Sequence, residues 1–186
     1  MNFYIADIHL SHKNVIKYDG RPFPDCDAML EALVRNWNNT VSPDDDVYIL
    51  GDLTWKNSVG LDFLSRTTGR KYLILGNHDK PTAEMMNCLQ WVKDYAVIKD
   101  GESEVVLFHY PTASWYDQFR GSVHLYGHVH DNLDYKAYLR YLEICDEMGI
   151  PHECYNVGCM MPYMDYTPRS LAEIRRSHGL FQPSDI

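Results

Sequence analysis

The sequence predicts a single α/β domain spanning residues 1–186, on three observations. Short apolar runs recur at residues 3–8, 47–50, 72–75, 105–108 and 123–126. Each is nearly continuous rather than alternating, as strands covered on both faces are. Stretches with helical spacing and capping residues lie between them, the alternation that builds α/β folds. Finally, 186 residues that are 45% hydrophobic and 23% charged are one domain's worth and enough to bury a core.

In chain order, the strand at 3–8 is followed by a helix over 24–40. Met29, Leu30, Leu33, Val34 and Trp37 form its apolar stripe, and Asp25 or Asp27 is placed to cap it. Strands at 47–50 and 72–75 come next. Pro81 then sits where a first helical turn accepts proline, ahead of Met85, Met86 and Leu89. Residues 95–99 and 104–108 flank Asp100-Gly101, a hairpin turn signal that makes the sheet mixed. After the strand at 123–126, residues 135–148 read as a helix stopped by Gly149 before Pro151. Ser170 and Glu173 form a capping box for a last helix, and Gly179 suits its end.

Composition narrows the function. Lys plus Arg number 17 against 26 Asp plus Glu, a net −9 with neutral histidines. That charge repels polyphosphate backbones and anionic membranes, so no long nucleic acid and no membrane is expected as partner. Cys26, Cys88, Cys145, Cys154 and Cys159 show no Cys-x-x-Cys spacing and form neither a disulfide framework nor a zinc ribbon. With no signal-peptide pattern and no run near the ~20 apolar residues of a membrane helix, a soluble, cytoplasmic protein is expected.

The ends of the strands carry the chemistry. Asp7 and His9 follow the first run, Gly51-Asp52 the second and Gly76-Asn77-His78-Asp79 the third. His109 and Gly127-His128-Val129-His130 follow the last two. Singly, each is an ordinary turn or cap. His128 and His130, at i and i+2 of an extended segment, face the same side. All five sit where open α/β sheets bind ligands, outside the carboxyl ends of the strands.

In this order the segments resemble the motif set of the calcineurin-like metallophosphoesterases, over residues 7–130. Asn156-Val157-Gly158 resembles the strand that commonly follows. The resemblance implies a four-layer αββα sandwich, two mixed β-sheets flanked by helices. It also implies two divalent ions, one held by Asp7, His9, Asp52 and His130, the other by Asp52, Asn77, His109 and His128, with Asp52 shared. A hydroxide between the ions would attack a phosphate ester in line, with His78 assisting the leaving group and Asp79 orienting His78 and raising its pKa. The donors are carboxylates, one amide and imidazoles, without thiolate. That set disfavours structural zinc, calcium and magnesium and suits manganese, with iron, zinc, nickel or cobalt as alternatives.

The expected activity is hydrolysis of a small phosphate ester, a diester rather than a monoester, with a nucleotide among the candidates. The alternative is a non-catalytic scaffold of the same fold, although this chain retains every ligand and His78. His12, Lys13 and Arg21 are the candidates for contacting substrate. His124 reads as a structural strand residue, and His152 and His178 as surface residues. Tyr135, Tyr138 and Leu142 read as a packing stripe, though residues 131–154 could also form a lid. Trp55 stands where relatives often carry something small or acidic and bears on the shape of the pocket. Cys159, Met160 and Met161, with Tyr163 and Met164, read as core.

Overall fold

The computed structural model describes residues 1–178. Its elements are β1 (Asn2–Ile5), α1 (Lys13–Tyr18), α2 (Cys26–Thr40), β2 (Asp46–Leu50), α3 (Asn57–Arg66), β3 (Arg70–Ile74), α4 (Ala83–Met86) and β4 (Val92–Lys93). There follow β5 (Tyr95–Asp100), β6 (Ser103–Phe108), a 3-10 turn (Gln118–Arg120), β7 (Val123–Tyr126), α5 (Leu133–Met148), β8 (Cys154–Asn156) and α6 (Leu171–His178). The strands form two four-stranded sheets, ordered β1-β2-β3-β4 and β5-β6-β7-β8.

Connections decide strand direction. β1 through β4 are joined by helical crossovers and pair in parallel, as such crossovers require. β5 and β6 are joined by Gly101-Glu102 and pair antiparallel, with Gly101 at φ +60°. β6, β7 and β8 are parallel neighbours. The second sheet is thus mixed, and in the first the four strands run parallel while Arg169 adds an antiparallel bridge to Tyr4 at the free edge of β1.

Side-chain alternation sets the layers. Tyr4, Tyr48 and Tyr72 are cross-strand neighbours whose rings stack at 5.6 and 4.7 Å. With Leu50 and Ile74 they pack with Val105, Leu107, Val123 and Leu125 of the second sheet. One residue along, Phe3, Ile5, Val47, Ile49 and Leu73 pack with Met29, Leu33 and Trp37 of α2 and with Phe63 of α3. On the outer face of the second sheet, His124 meets Trp115 at 5.3 Å and Tyr126 meets Tyr138 of α5 at 5.4 Å. Helices, sheet, sheet and helix make four layers.

The caps explain most element ends. Asp25, not Asp27, caps α2 by accepting from the Ala28 N–H at 2.8 Å. Ser170 and Glu173 exchange bonds as a capping box: Ser170 N–H donates to Glu173 Oε2 at 2.9 Å, and Glu173 N–H donates to Ser170 Oγ at 3.4 Å. Gly179, expected to end that helix, lies outside the described residues. Pro81 precedes the cap of α4 instead of occupying its first turn, because the Thr82 hydroxyl accepts from the Met85 N–H. The first strand stops at Ile5 rather than Ile8, since Asp7 turns the backbone to φ +53°. Helices α1 and α3 were not expected from the sequence.

Tyr135 and Tyr138 pack on the second sheet as expected of a stripe, and Cys159, Met161, Tyr163 and Met164 are buried. His178 is not a surface residue, for its ring lies between Tyr155 and Tyr163 at 5.1 and 5.3 Å. His124 is fully buried, with Nδ1 3.4 Å from Val106 O and Nε2 3.2 Å from Tyr110 O. Burial pushes its pKa down to about 4, against about 6.5 when unfolded. Above pH 6.5 the imidazole is neutral in both states. Below it, the unfolded chain takes up a proton that the fold refuses, so stability falls until the loss, about 3 kcal/mol, is complete near pH 4. The difference in urea midpoint between wild type and His124→Gln is expected to shrink over that window. A difference independent of pH would contradict a neutral buried His124.

Candidate metal centre

Each loop that follows a central strand delivers one part of the site. Asp7, His9, Asp52 and His128 all hold left-handed φ, between +51° and +69°. Non-glycine residues keep such strained backbone where the surrounding structure over-determines it, commonly at functional sites. Here the loops fix one another: Asp7 N–H donates to Gly51 O at 3.0 Å, His9 N–H to Asp52 O at 2.8 Å, and Gly127 N–H to His109 O at 2.9 Å. Two glycines make room. A Cβ on Gly51, which lies at φ +89°, would run into the His109 ring, and one on Gly127 would sit 2.5 Å from Asp7 Oδ2.

Two donor groups result, Asp7 with His9 and His130, and Asp52 with His109 and His128. In each, the donor atoms lie within 4.8 Å of one another. His9 Nε2 is 3.2 Å from His130 Nε2. Asn77 Oδ1 joins the second group, 3.2 Å from His109 Nε2 and 3.0 Å from His128 Nδ1. Asp52 Oδ2 lies between the groups, 3.5 Å from His9 Nε2 and 3.6 Å from His109 Nε2. Donors bound at about 2.1 Å to one ion and at right angles to each other stand about 3 Å apart. The spacing fits divalent ions.

Protonation fits as well. His109 Nδ1 lies 2.8 Å from Leu50 O, and a carbonyl can only accept, so Nδ1 carries the proton and Nε2 turns a lone pair inward. His130 Nδ1 is likewise 2.8 Å from Asp19 Oδ1. Burial, followed by the charges of His130 and Arg21, pushes His9 down to about 2, which keeps it unprotonated. Burial also pushes Asp7 up to about 6. A cation would repair that penalty, since a buried carboxylate is costly without one.

Two residues do not sit where the sequence reading put them. Arg21 is 4% exposed. Its Nη2 donates to Asp7 O, its Nη1 to Ile8 O and its Nε to Asp19 Oδ2, each at 2.9 Å. It ties down the Asp7 loop from beneath and is spent there, so it does not face substrate. Asp79 accepts from the N–H groups of Asp52, Leu53 and Gly76 at 2.7, 2.9 and 2.9 Å. Its carboxylate pins the loops of Asp52 and Asn77 and does not bond the His78 ring. The residue missed was Asp19: despite burial, the His130 bond and the Arg21 charge hold its pKa below the ordinary value.

His78 is exposed and anchored by its N–H, which donates to Asp52 Oδ1 at 3.0 Å. His12 lies with its ring 5.7 Å from His9 and caps α1 by accepting from the Val15 N–H at 3.1 Å. Lys13 is exposed at the start of α1. A cavity of about 170 Å³ over the centre is lined by residues that include His12, Tyr18, Asp19 and His78. None of its lining comes from residues 131–154. That segment is anchored elsewhere, Tyr138 and Tyr141 donating their hydroxyls to Thr112 O and Ala113 O at 3.0 and 2.8 Å.

Comparison with known proteins points to one family. Residues 3–89 match the family model described as calcineurin-like phosphoesterase. The chain is 35% identical over 133 residues to an uncharacterized protein of Methanocaldococcus jannaschii, covering 70% of this chain and 69% of that protein. It is 31% identical over 160 residues to the gene 66 protein of Mycobacterium phage D29, covering 70% and 79%. A solved structure of a protein of unknown function from Aquifex aeolicus superposes with a TM-score of 0.72 at 25% identity, covering 95% of this chain and 98% of that one.

Proposed function

Because the chain belongs to the calcineurin-like phosphoesterase family, and so is a metal-dependent phosphoesterase, we propose that it works with a binuclear centre and favours diesters over monoesters. The observation that carries this reading is Asp52 Oδ2, 3.5 Å from His9 Nε2 and 3.6 Å from His109 Nε2, one carboxylate oxygen between two donor groups. Asp7, His9, Asp52 and His130 would hold one ion, and Asp52, Asn77, His109 and His128 the other. Four imidazoles with carboxylates, an amide and no sulfur suit a first-row divalent ion: manganese, iron, zinc, nickel or cobalt. Bound ions would supply Lewis-acid chemistry, acidifying water and offsetting charge on the phosphate oxygens.

The protein's own groups do the rest. Asp19 and Leu50 O fix which nitrogens of His130 and His109 point inward. Asp79 and Arg21 hold the loops that carry the carboxylates. His78, anchored through its backbone and open to solvent, donates a proton to the departing oxygen. Diester preference is supported by two grooves, of about 260 and 210 Å³, lined in part by His12 and by His78, which leave space for two ester substituents. All five cysteines are free, which fits the reducing cytoplasm. Among the described residues no helix is long and apolar enough to cross a membrane.

His78→Ala is expected to retain two metals per chain while hydrolysis of bis(p-nitrophenyl) phosphate falls about 10²–10⁴-fold. Metal analysis and initial rates on one preparation decide it. If wild-type protein holds two metals yet hydrolyses neither a diester nor a monoester panel, the scaffold alternative takes its place.

A further inference from the structure

Trp55 is 55% exposed, unusual for an indole at the edge of a polar centre. Its backbone is nonetheless fixed: the Trp55 N–H donates to Leu10 O at 2.9 Å, and Thr54 forms a β-bridge with Leu10. The ring stands 4.6 Å from His12 and 5.1 Å from His78 between centroids. It therefore divides the two grooves that flank the centre. One, about 260 Å³, is lined by Ser11, His12, Lys13, Asn14 and Trp55. The other, about 210 Å³, is lined by Trp55, Asn77, His78 and Lys80. Each groove carries one lysine, in a chain whose net charge is −9.

We propose that Trp55 is a stacking platform for a base carried on the departing sugar, which makes nucleoside phosphodiesters, rather than alkyl esters, the substrate class of this site. The proposal rests on the phosphoesterase reading above. The leaving group departs beside His78, whose ring has the Trp55 indole 5.1 Å away. Tyr18, the exposed tyrosine that lines the cavity, makes no ring contact with His78. A base would cover the indole face with a whole ring, whereas an alkyl group would leave most of it wet. The pinned backbone sets the indole before substrate arrives, so little ordering is needed on binding. Lys13 and Lys80 stand where further negative charge on a nucleotide would lie. Long nucleic acid remains disfavoured by the net charge of −9.

The test titrates metal-loaded protein with adenosine 5′-monophosphate and with methyl phosphate, which share the phosphate but not the base, and reads affinity by calorimetry. Wild type is expected to bind the nucleotide about 10–100-fold more tightly than methyl phosphate. Trp55→Ala should reduce that ratio to about threefold or less, and Trp55→Phe should keep most of it. Equal affinities in wild type, or binding of neither ligand, overturn the platform. So does an equal loss on both ligands in Trp55→Ala, which would make the indole a prop for His78. Hydrolysis of bis(p-nitrophenyl) phosphate, run in parallel, separates the two readings. Turnover with equal affinities sinks the platform alone. A base preference without turnover of any ester in a diester and monoester panel sinks the phosphoesterase reading and the substrate class with it, leaving Trp55 as a nucleotide-binding platform.

Discussion

Asp52→Asn is expected to weaken metal binding at both sites and to abolish hydrolysis, with rates down by at least about 10³-fold. The reasoning starts from the shared oxygen. Asp52 Oδ2 lies at nearly equal distance from His9 and His109, so its charge serves both donor groups. Asparagine preserves the shape and leaves Oδ1 to accept from His78 N–H, but it puts a neutral amide where the second oxygen stood. Stability gives a readout independent of turnover. Manganese at about a thousand times its dissociation constant should stabilise wild-type protein by about 4 kcal/mol. In Asp52→Asn that metal-dependent shift in melting temperature should nearly vanish, while the metal-free variant melts no lower than metal-free wild type, since a buried charge near Asp7 has gone. A variant that still gains full stability from manganese would show that Asp52 is not the shared ligand.

The proposed ligands were legible as candidates because each follows an apolar run. Once Val47 and Leu50 read as buried strand, Asp52 had to lie at its carboxyl end, and the same reasoning placed His109 and His128. What holds the ligands was not legible. Asp19 and His130 are 111 residues apart and meet at 2.8 Å, a contact no local spacing encodes. Arg21 looks like any loop arginine until the carbonyls of Asp7 and Ile8 arrive beneath it. Asp79 follows His78 in sequence, which invited pairing the two, yet three backbone N–H groups claim its carboxylate. Helix α3 escaped notice because Gly60 interrupts it and Lys56 provides no side-chain cap. Gly60 is there for packing: a Cβ would lie 2.6 Å from Thr54 Cγ2. Helix α1 has only six residues, too few for a hydrophobic period to show.

Arg21→Met is expected to destabilise the metal-free protein by about 3–5 kcal/mol, because it removes one partner from a buried ion pair. Arg21 donates in three directions, to Asp7 O, Ile8 O and Asp19 Oδ2. Its side chain and that of Asp19 are 0% and 4% exposed, so little water reaches the groups left behind. Methionine fills the volume but leaves a carboxylate and two carbonyls short of donors. Arg21→Lys should recover only part of the loss, since one ammonium cannot reproduce a planar fork spread over three acceptors. The effect should reach the centre through Asp19. Without Arg21 that carboxylate turns or takes up a proton, His130 loses its orientation, and metal affinity falls about 10–100-fold. Urea unfolding of metal-free protein and metal titration of the folded protein measure the two effects separately. Had Arg21 instead been a phosphate contact, Arg21→Met would leave unfolding and metal affinity unchanged and raise KM alone. That result would return Arg21 to the substrate side and remove the support assigned to the Asp7 loop.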